Sequence, residues 1–313
     1  MTAPAPEEWI RLHQALQAAG FAVPPQFSDA RRLGGGEHNP VFGLRWDSKR
    51  VVVRLAEPAR NQRIDRTREL ANAEAAASCA VGPKVLYASA ADGTMVTPWI
   101  DGMIPGEDDF RDPDLIGKAA AVLRRLHCSA ATFSGELPPL VFLDNQERRI
   151  QKRNLDIPDD LRSLTPHLRT MRSWVDTHPG QSAPCHLDPI AANMVDTGQR
   201  IVLLDWEYSA VCDPIWDLAN LGARNDFTAD DDAVLIKSYC QEASPPEIWR
   251  RYLFFKALCA LNWALVYLLQ ESDGMEPDGP RHTSPWWIKT IGQAVESALS
   301  KGFLPHGIGA PTP

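Results

Sequence analysis

No two cysteines in this chain form a CxxC pair. The six present, Cys79, Cys128, Cys185, Cys212, Cys240 and Cys259, are scattered, several in apolar or helical surroundings. That spacing excludes a disulfide framework and a zinc ribbon, and it reads as buried free thiols in a reducing compartment. Positive charge is in deficit, with a formal net charge of −8. An acidic balance argues against nucleic acid as the partner, because phosphate backbones are bound by clustered Lys and Arg. The opening "MTAPAPEEW" lacks the basic and apolar regions of a signal peptide. The longest apolar segment, Leu253–Leu269, is interrupted by Lys256 and Asn262. It is too short and too broken for a membrane span and reads as a buried helix. No internal repeat occurs. The expectation is a cytoplasmic protein with no membrane span and no nucleic-acid partner; monomer and dimer both stay open.

What is present is an ordinary globular composition: 313 residues, 44% hydrophobic and 23% charged. That length suits one large domain or two lobes with ample core. Helical periodicity over Pro6–Gly20 is followed by short strand-like runs, "PVFGLRW" and "RVVVRLA". Asn61–Gly82 reads as a long helix closed by Gly82. Two further strands flank the turn "ADG" within "KVLYASAADGTMVTPWIDG". After Gly102 helices dominate. One starts at Pro113 with Asp112 as N-cap. Others cover Asp159–His178, Asp213–Asn225, Ala229–Glu242, Pro246–Gln270 and Ser284–Lys301. The one break is "IVLL", a short buried strand. The organisation is therefore α+β, with a small mixed lobe over residues 1–98 and a larger, mainly helical lobe over residues 99–313.

The chemistry concentrates in "CHLDPIAANMVDTGQRIVLLDWEYSAVCDPIWDLANL", from Cys185 to Leu221, which holds five Asp. His186, Asp188 and Asn193 follow the spacing H-x-D-x-x-x-x-N. After a hairpin-like turn comes L-L-D, ending on Asp205. An Asp five residues before an Asn on a loop can point two oxygen groups into one cleft. An Asp at the end of a buried strand completes a site for a hard cation such as Mg²⁺. A metal also offsets the cost of clustering carboxylates beside an apolar strand. In phosphoryl transfer the first Asp takes or orients the hydroxyl proton, while the Asn and second Asp hold the metal on the phosphates.

"HLDPIAAN" and "LLDWEY…DPIWDLAN" resemble the choline/ethanolamine kinase-like branch of the aminoglycoside phosphotransferase family. The resemblance spans about Leu33 to Gln270 and is weakest between Phe133 and Ala183. It implies a bilobal protein-kinase-like fold, with a small N-terminal antiparallel-sheet lobe, and use of ATP with Mg²⁺. Asp188 would be the catalytic base, Asn193 and Asp205 the metal ligands, His186 a support for the catalytic loop, and Asp217 a brace from the following helix. The pattern G-G-x-x-N-x-x-F (Gly35, Gly36, Asn39, Phe42) resembles the phosphate-covering loop of this branch. Arg54, ending "VVVR", stands where protein kinases have Lys. Glu69 in "IDRTRELAN" is its expected helix partner, with Glu74 as the alternative. Backbone groups of Pro98, Trp99 and Ile100 would meet the adenine edge.

The implied partner is a small-molecule hydroxylated acceptor, with choline or ethanolamine first and thiamine, an amino sugar, an aminoglycoside or a sugar as alternatives. A non-catalytic kinase fold sensing a nucleotide or metabolite is the alternative from another class. Acceptor-binding candidates are Glu207, Tyr208, Arg224 and Trp263, with Trp206 and Trp216 also available. Two departures stand out. A second cage tryptophan of the family falls at Val266. The acidic residue that faces the choline cation in eukaryotic relatives falls at Arg224, which either enters the pocket or points to solvent.

Overall fold

The computed structural model describes residues 3–21, 30–34, 39–46, 49–56, 64–241, 244–277 and 279–305. Gly35 and Gly36 lie outside the described residues. The chain opens with helix α1 (Pro6–Ala18), whose first turn is fixed by Pro6 and by Glu8, which accepts the Ala5 N–H at 2.8 Å. A five-stranded antiparallel sheet follows, in the order β1-β2-β3-β5-β4, from β1 (Arg31–Arg32), β2 (Val41–Trp46), β3 (Lys49–Arg54), β4 (Tyr87–Ala88) and β5 (Met95–Pro98). β3 alternates: Val51 and Val53 are buried against α1, so Val52 and Arg54 face the other way. Leu12, Leu16, Phe42, Leu44, Leu55 and Val96 complete this small core.

Helix α2 (Arg66–Ser78) lies between β3 and β4 in sequence and starts at Asp65, whose side chain accepts the Arg68 N–H at 3.0 Å. It begins later and ends earlier than the reading over Asn61–Gly82. It stops at Cys79, and Ala80 takes a left-handed turn at φ 59°. Gly82 serves packing rather than termination: a Cβ there would sit 3.0 Å from the Trp206 indole nitrogen.

Beyond Gly102 the fold is mainly helical, around one large apolar core. Its helices are α3 (Pro113–His127), α4 (Val141–Arg153), α5 (Asp159–Thr177), α6 (Pro214–Arg224), α7 (Ala229–Cys240), α8 (Pro246–Ser272) and α9 (Ser284–Ser300). Asp112 caps α3 as expected, accepting the Asp114 N–H at 3.0 Å. Helix α8 packs against α4, α5, α6 and α9 and is apolar all round because it is buried all round. It is long and apolar enough to cross a membrane, but 83% of its apolar window is buried within the protein. Of its two polar interruptions Lys256 is satisfied internally, its ammonium donating to Asp232 and to the Phe227 carbonyl at 2.8 Å.

Two small two-stranded pairs interrupt the helices where one strand was expected. β6 (Ala183–Cys185) pairs with β9 (Ala210–Cys212), and β7 (Met194–Asp196) pairs with β8 (Ile201–Leu203). Together they carry the stretch from His186 to Ser209 between them. The segment after β5 is pinned to this unit by a bridge between Met103 and Asp196, with N···O distances of 2.9 and 2.8 Å. Gly102 permits the approach, because a Cβ there would lie 2.4 Å from the Asp196 carbonyl oxygen.

Candidate active site

The loop between β6 and β7 is organised by a carboxylate it does not contain. Asp217, fully buried on α6, accepts the His186 and Leu187 backbone N–H groups at 2.8 Å each. His127 of α3 approaches the same carboxylate at 3.0 Å and meets the Tyr239 hydroxyl on its other ring nitrogen. A buried acid beside a ring nitrogen calls for an N–H at Nε2, which leaves Nδ1 to accept from Tyr239. Leu187 is left-handed at φ 69°. That costs a branched residue roughly 1–3 kcal/mol. Hydrogen bonds to a charged acceptor contribute about 1.5–3 kcal/mol each, so the two to Asp217 outweigh the strain. Asn220, one turn along α6, donates to the Leu187 carbonyl at 2.9 Å and closes the clamp.

The clamp aims Asp188. Its carboxylate accepts from the Asn193 amide at 3.1 Å, and the same amide donates to the Asp188 carbonyl at 3.0 Å. Burial pushes the Asp188 carboxyl above the usual range; the Arg224 charge pulls it down and the Asp205 charge raises it. His186 is buried, and its ring donates from Nε2 to the Leu204 carbonyl at 2.7 Å. Its Nδ1 accepts the Asp188 N–H at 3.3 Å. Both ring nitrogens are therefore engaged with backbone.

Asp205 is not on the strand. β8 ends at Leu203, and Asp205 turns out of it at φ 63°. Its Oδ1 accepts from Arg54 at 2.8 Å. Arg54 also pairs with Glu69 at 2.5 Å, so Glu69 rather than Glu74 is the helix partner. Burial would lower the Arg54 pKa, but the Glu69 and Asp205 charges raise it and keep the guanidinium charged. Arg66 pairs with Glu69 at 2.7 Å and with Glu207 at 3.5 Å. Burial, then the Asp205 charge, pushes the Glu207 carboxyl up to about 7.

Glu207, expected in the acceptor pocket, is buried among Arg54, Arg66 and Glu69. Its neighbour Tyr208 is exposed and meets Phe142 of α4 edge-on at 6.0 Å. Trp206 packs on His186 and Phe133, and Trp216 is buried against Phe255, so neither indole lines an open pocket. Arg224 does not point away into solvent; its guanidinium lies 4.2 Å above the Trp263 ring.

On the sheet side, Trp99 packs against Gly43, where a Cβ would come within 2.8 Å of its ring. The Trp99 N–H is spent on the Arg50 carbonyl at 3.0 Å, and Pro98 has none. Asn39 is buried at the foot of β2.

Sequence reasoning gave no role to Arg66 and Asn72. Asn72, fully buried, accepts from Ser134 N–H at 2.6 Å and donates to Ser209 at 2.9 Å. It ties α2 to the strand pair behind the catalytic loop. The signal was in "RTRELAN": Arg66, Glu69 and Asn72 recur every three residues, which puts them on one helix face.

Does this set suit a divalent cation? The Asn193 amide is oriented by its two donations to Asp188, which leaves its Oδ1 with no hydrogen bond among the described residues. Asp205 keeps Oδ2 open in the same way. One carboxylate oxygen and one amide oxygen, with room for water, match the hard-oxygen preference of Mg²⁺. Glu69, Asp205 and Glu207 also bring carboxylate oxygens within 4.8 Å of one another. Arg54 Nε and Glu207 Oε2 are buried without a hydrogen bond among the described residues. Polar atoms left this way at a cleft suit a ligand with charge of both signs.

The chain is similar in sequence and fold to several known proteins. A solved choline/ethanolamine kinase family protein from Mesorhizobium loti superposes with a TM-score of 0.73 at 28% identity, covering 95% of this chain and 96% of that one. Thiamine kinase of Escherichia coli is 24% identical over 232 residues, 72% of this chain and 77% of that relative. Protein LicA of Haemophilus influenzae is 31% identical over 61 residues, so the match spans only 23% of that relative's length. The family model described as "Phosphotransferase enzyme family" matches residues 29–255, and this chain belongs to that family.

Proposed function

We propose that this protein transfers the γ-phosphoryl group of ATP to a hydroxyl of a small metabolite. The observation that carries the reading is that Asp188, held by Asn193, lies within reach of the Asp205 charge, and Asp205 in turn pairs with Arg54, which also pairs with Glu69. In this reading Asp188 orients the acceptor hydroxyl and takes its proton. His186 is a positioning residue, because both its nitrogens are committed to the loop backbone. Arg54, kept charged by Glu69, holds phosphate oxygens. Asn193 Oδ1 and Asp205 Oδ2 hold Mg²⁺, which when bound neutralises charge on the phosphates. Gly35, Gly36 and Asn39 would cover the phosphates from the β1–β2 turn. Adenine would meet the chain at Pro98–Ile100, where the Ile100 N–H makes no backbone hydrogen bond among the described residues. The lobe boundary falls at residues 98 and 99 in this reading, and a cytoplasmic location goes with its need for ATP. Choline or ethanolamine is the first acceptor scaffold to try, given the relatives' names, followed by thiamine and aminoglycosides.

The test is ADP release over that acceptor panel with wild type, Asp188→Ala and Asp205→Ala. The expected outcome is acceptor-dependent turnover that falls by roughly 10²–10⁴-fold in Asp188→Ala with nucleotide binding intact. Asp205→Ala should lose magnesium-dependent nucleotide binding. Turnover that needs no acceptor, or Asp188→Ala as active as wild type, would overturn the reading.

A further inference from the structure

Arg224 ends α6 with a half-buried guanidinium lying flat on Trp263, 4.2 Å from the ring centroid. A guanidinium carries five N–H donors. Arg224 makes no hydrogen bond or ion pair with the described residues. A merely structural stack would not need those donors; Arg250, which lies over Trp174 and Phe303, is likewise without an ion pair among the described residues, whereas three other arginines are paired. Arg54, Arg66 and Arg251 each meet a carboxylate within 3 Å.

The position of this cation is fixed by two helices. Asn220 donates to the Leu187 carbonyl beside Asp188, and Cys259 of α8 donates its thiol hydrogen to Asn220 at 3.5 Å. Arg224 lies one turn beyond Asn220, and Trp263 one turn beyond Cys259. The Arg224–Trp263 pair therefore sits one helical turn, about 5.4 Å, from the clamp on the catalytic loop. Its charge is the strongest attraction acting on Asp188. Behind Trp263 the wall is closed, since Trp263 stacks on Trp287 at 5.9 Å and Tyr267 stacks on Trp287 at 6.5 Å. Arg224 covers a face of Trp263. A quaternary ammonium would seek that face and would find it taken by a like charge.

We infer that the acceptor carries an oxyanion, a carboxylate or a phosphate, and that Arg224 held on Trp263 receives it while the acceptor hydroxyl lies at Asp188. This rests on the kinase reading and sharpens its substrate class. The aromatic ring holds the guanidinium plane, so its fork reaches the anion with little further ordering.

Matched pairs test it, each differing by one acid group: ethanolamine with L-serine, 3-aminopropanol with L-homoserine, and glycerol with glycerol 3-phosphate. The first two pairs probe carboxylate and the third phosphate. Wild type should prefer the acidic member of at least one pair in kcat/KM and should bind it by calorimetry in the absence of ATP. Arg224→Met should raise the KM of that acceptor by roughly 10–100-fold with kcat little changed. Arg224→Lys should recover part of the loss. Preference for the non-acidic member in every pair, an unmoved KM in Arg224→Met, or failure of every acidic member to bind overturns the inference. Choline or ethanolamine turnover with no acidic preference would leave the kinase reading standing without it. Loss of Mg-ATP binding would sink the kinase reading alone, and calorimetry would still judge the oxyanion site.

Discussion

The two ends of the cleft are held by different physics. At the end proposed for the nucleotide, two guanidinium groups, Arg54 and Arg66, share Glu69, Asp205 and Glu207 across three separate elements. At the end proposed for catalysis, one buried carboxylate, Asp217, fixes two backbone N–H groups, and neutral amides finish the job. Ion pairs are long-ranged and tolerant of angle, so the first arrangement can exchange partners when charged ligands arrive. Hydrogen bonds to backbone are short and directional, so the second fixes the Asp188 carboxylate in place. The contrast fits the chemistry proposed for each end: a triphosphate brings its own charge, whereas a base must be in place beforehand.

The largest effect should come from breaking the rigid end. Asp217→Asn turns an amide donor toward one of two backbone donors, at a cost of about 3 kcal/mol in a buried site. Thermal unfolding should show that loss, and kcat should fall at least 100-fold while the KM for ATP barely moves. Amide hydrogen exchange at Leu187 should accelerate; an unchanged Leu187 amide would mean that Asp217 is not the brace. Breaking the tolerant end should matter less. Glu69→Gln should raise the KM for ATP by roughly 10-fold with a smaller change in kcat, because Asp205 still holds Arg54. Equal losses in both mutants would erase the distinction between the two ends.

The smallest effect sharpens the comparison through pH. With Glu207 raised to about 7, the folded state holds that proton more tightly than the unfolded chain. The group therefore favours folding below the unfolded carboxyl pKa, and that contribution is lost as pH rises through about 7. Two cations are already matched by Glu69 and Asp205, so the third carboxylate is the surplus charge. Glu207→Gln should raise the melting temperature by a few degrees, about 1 kcal/mol, at pH 8.5 and by much less at pH 5. A gain of equal size at both pH values would rule out excess charge as its cause.

The order His186, Asp188, Asn193, Asp205 was legible because the proposed chemistry allows few residue types at each step. The pairing of Arg54 with Glu69 was legible from the resemblance of "VVVR" and "IDRTRELAN" to the kinase family. What escaped is where local pattern is silent. Glu207 and Tyr208 are adjacent, yet one is buried and the other is exposed. No periodicity announces that, because Asp205 has just left the strand with a positive φ. Helix α4 also went unread: it buries only Leu143 and Ile150 and is polar elsewhere, which leaves a faint apolar stripe. The strands β6 and β9 have three residues each, too few for alternation to register.

Trp263 belongs to α8, which packs on four other helices, whereas Arg224 is the last residue of α6. Replacing the tryptophan disturbs a stack shared with Trp287, while replacing the arginine disturbs little but its own charge. If Arg224 receives the acceptor, a change at this helix tip would retune the substrate while leaving the ring beneath it and the scaffold in place.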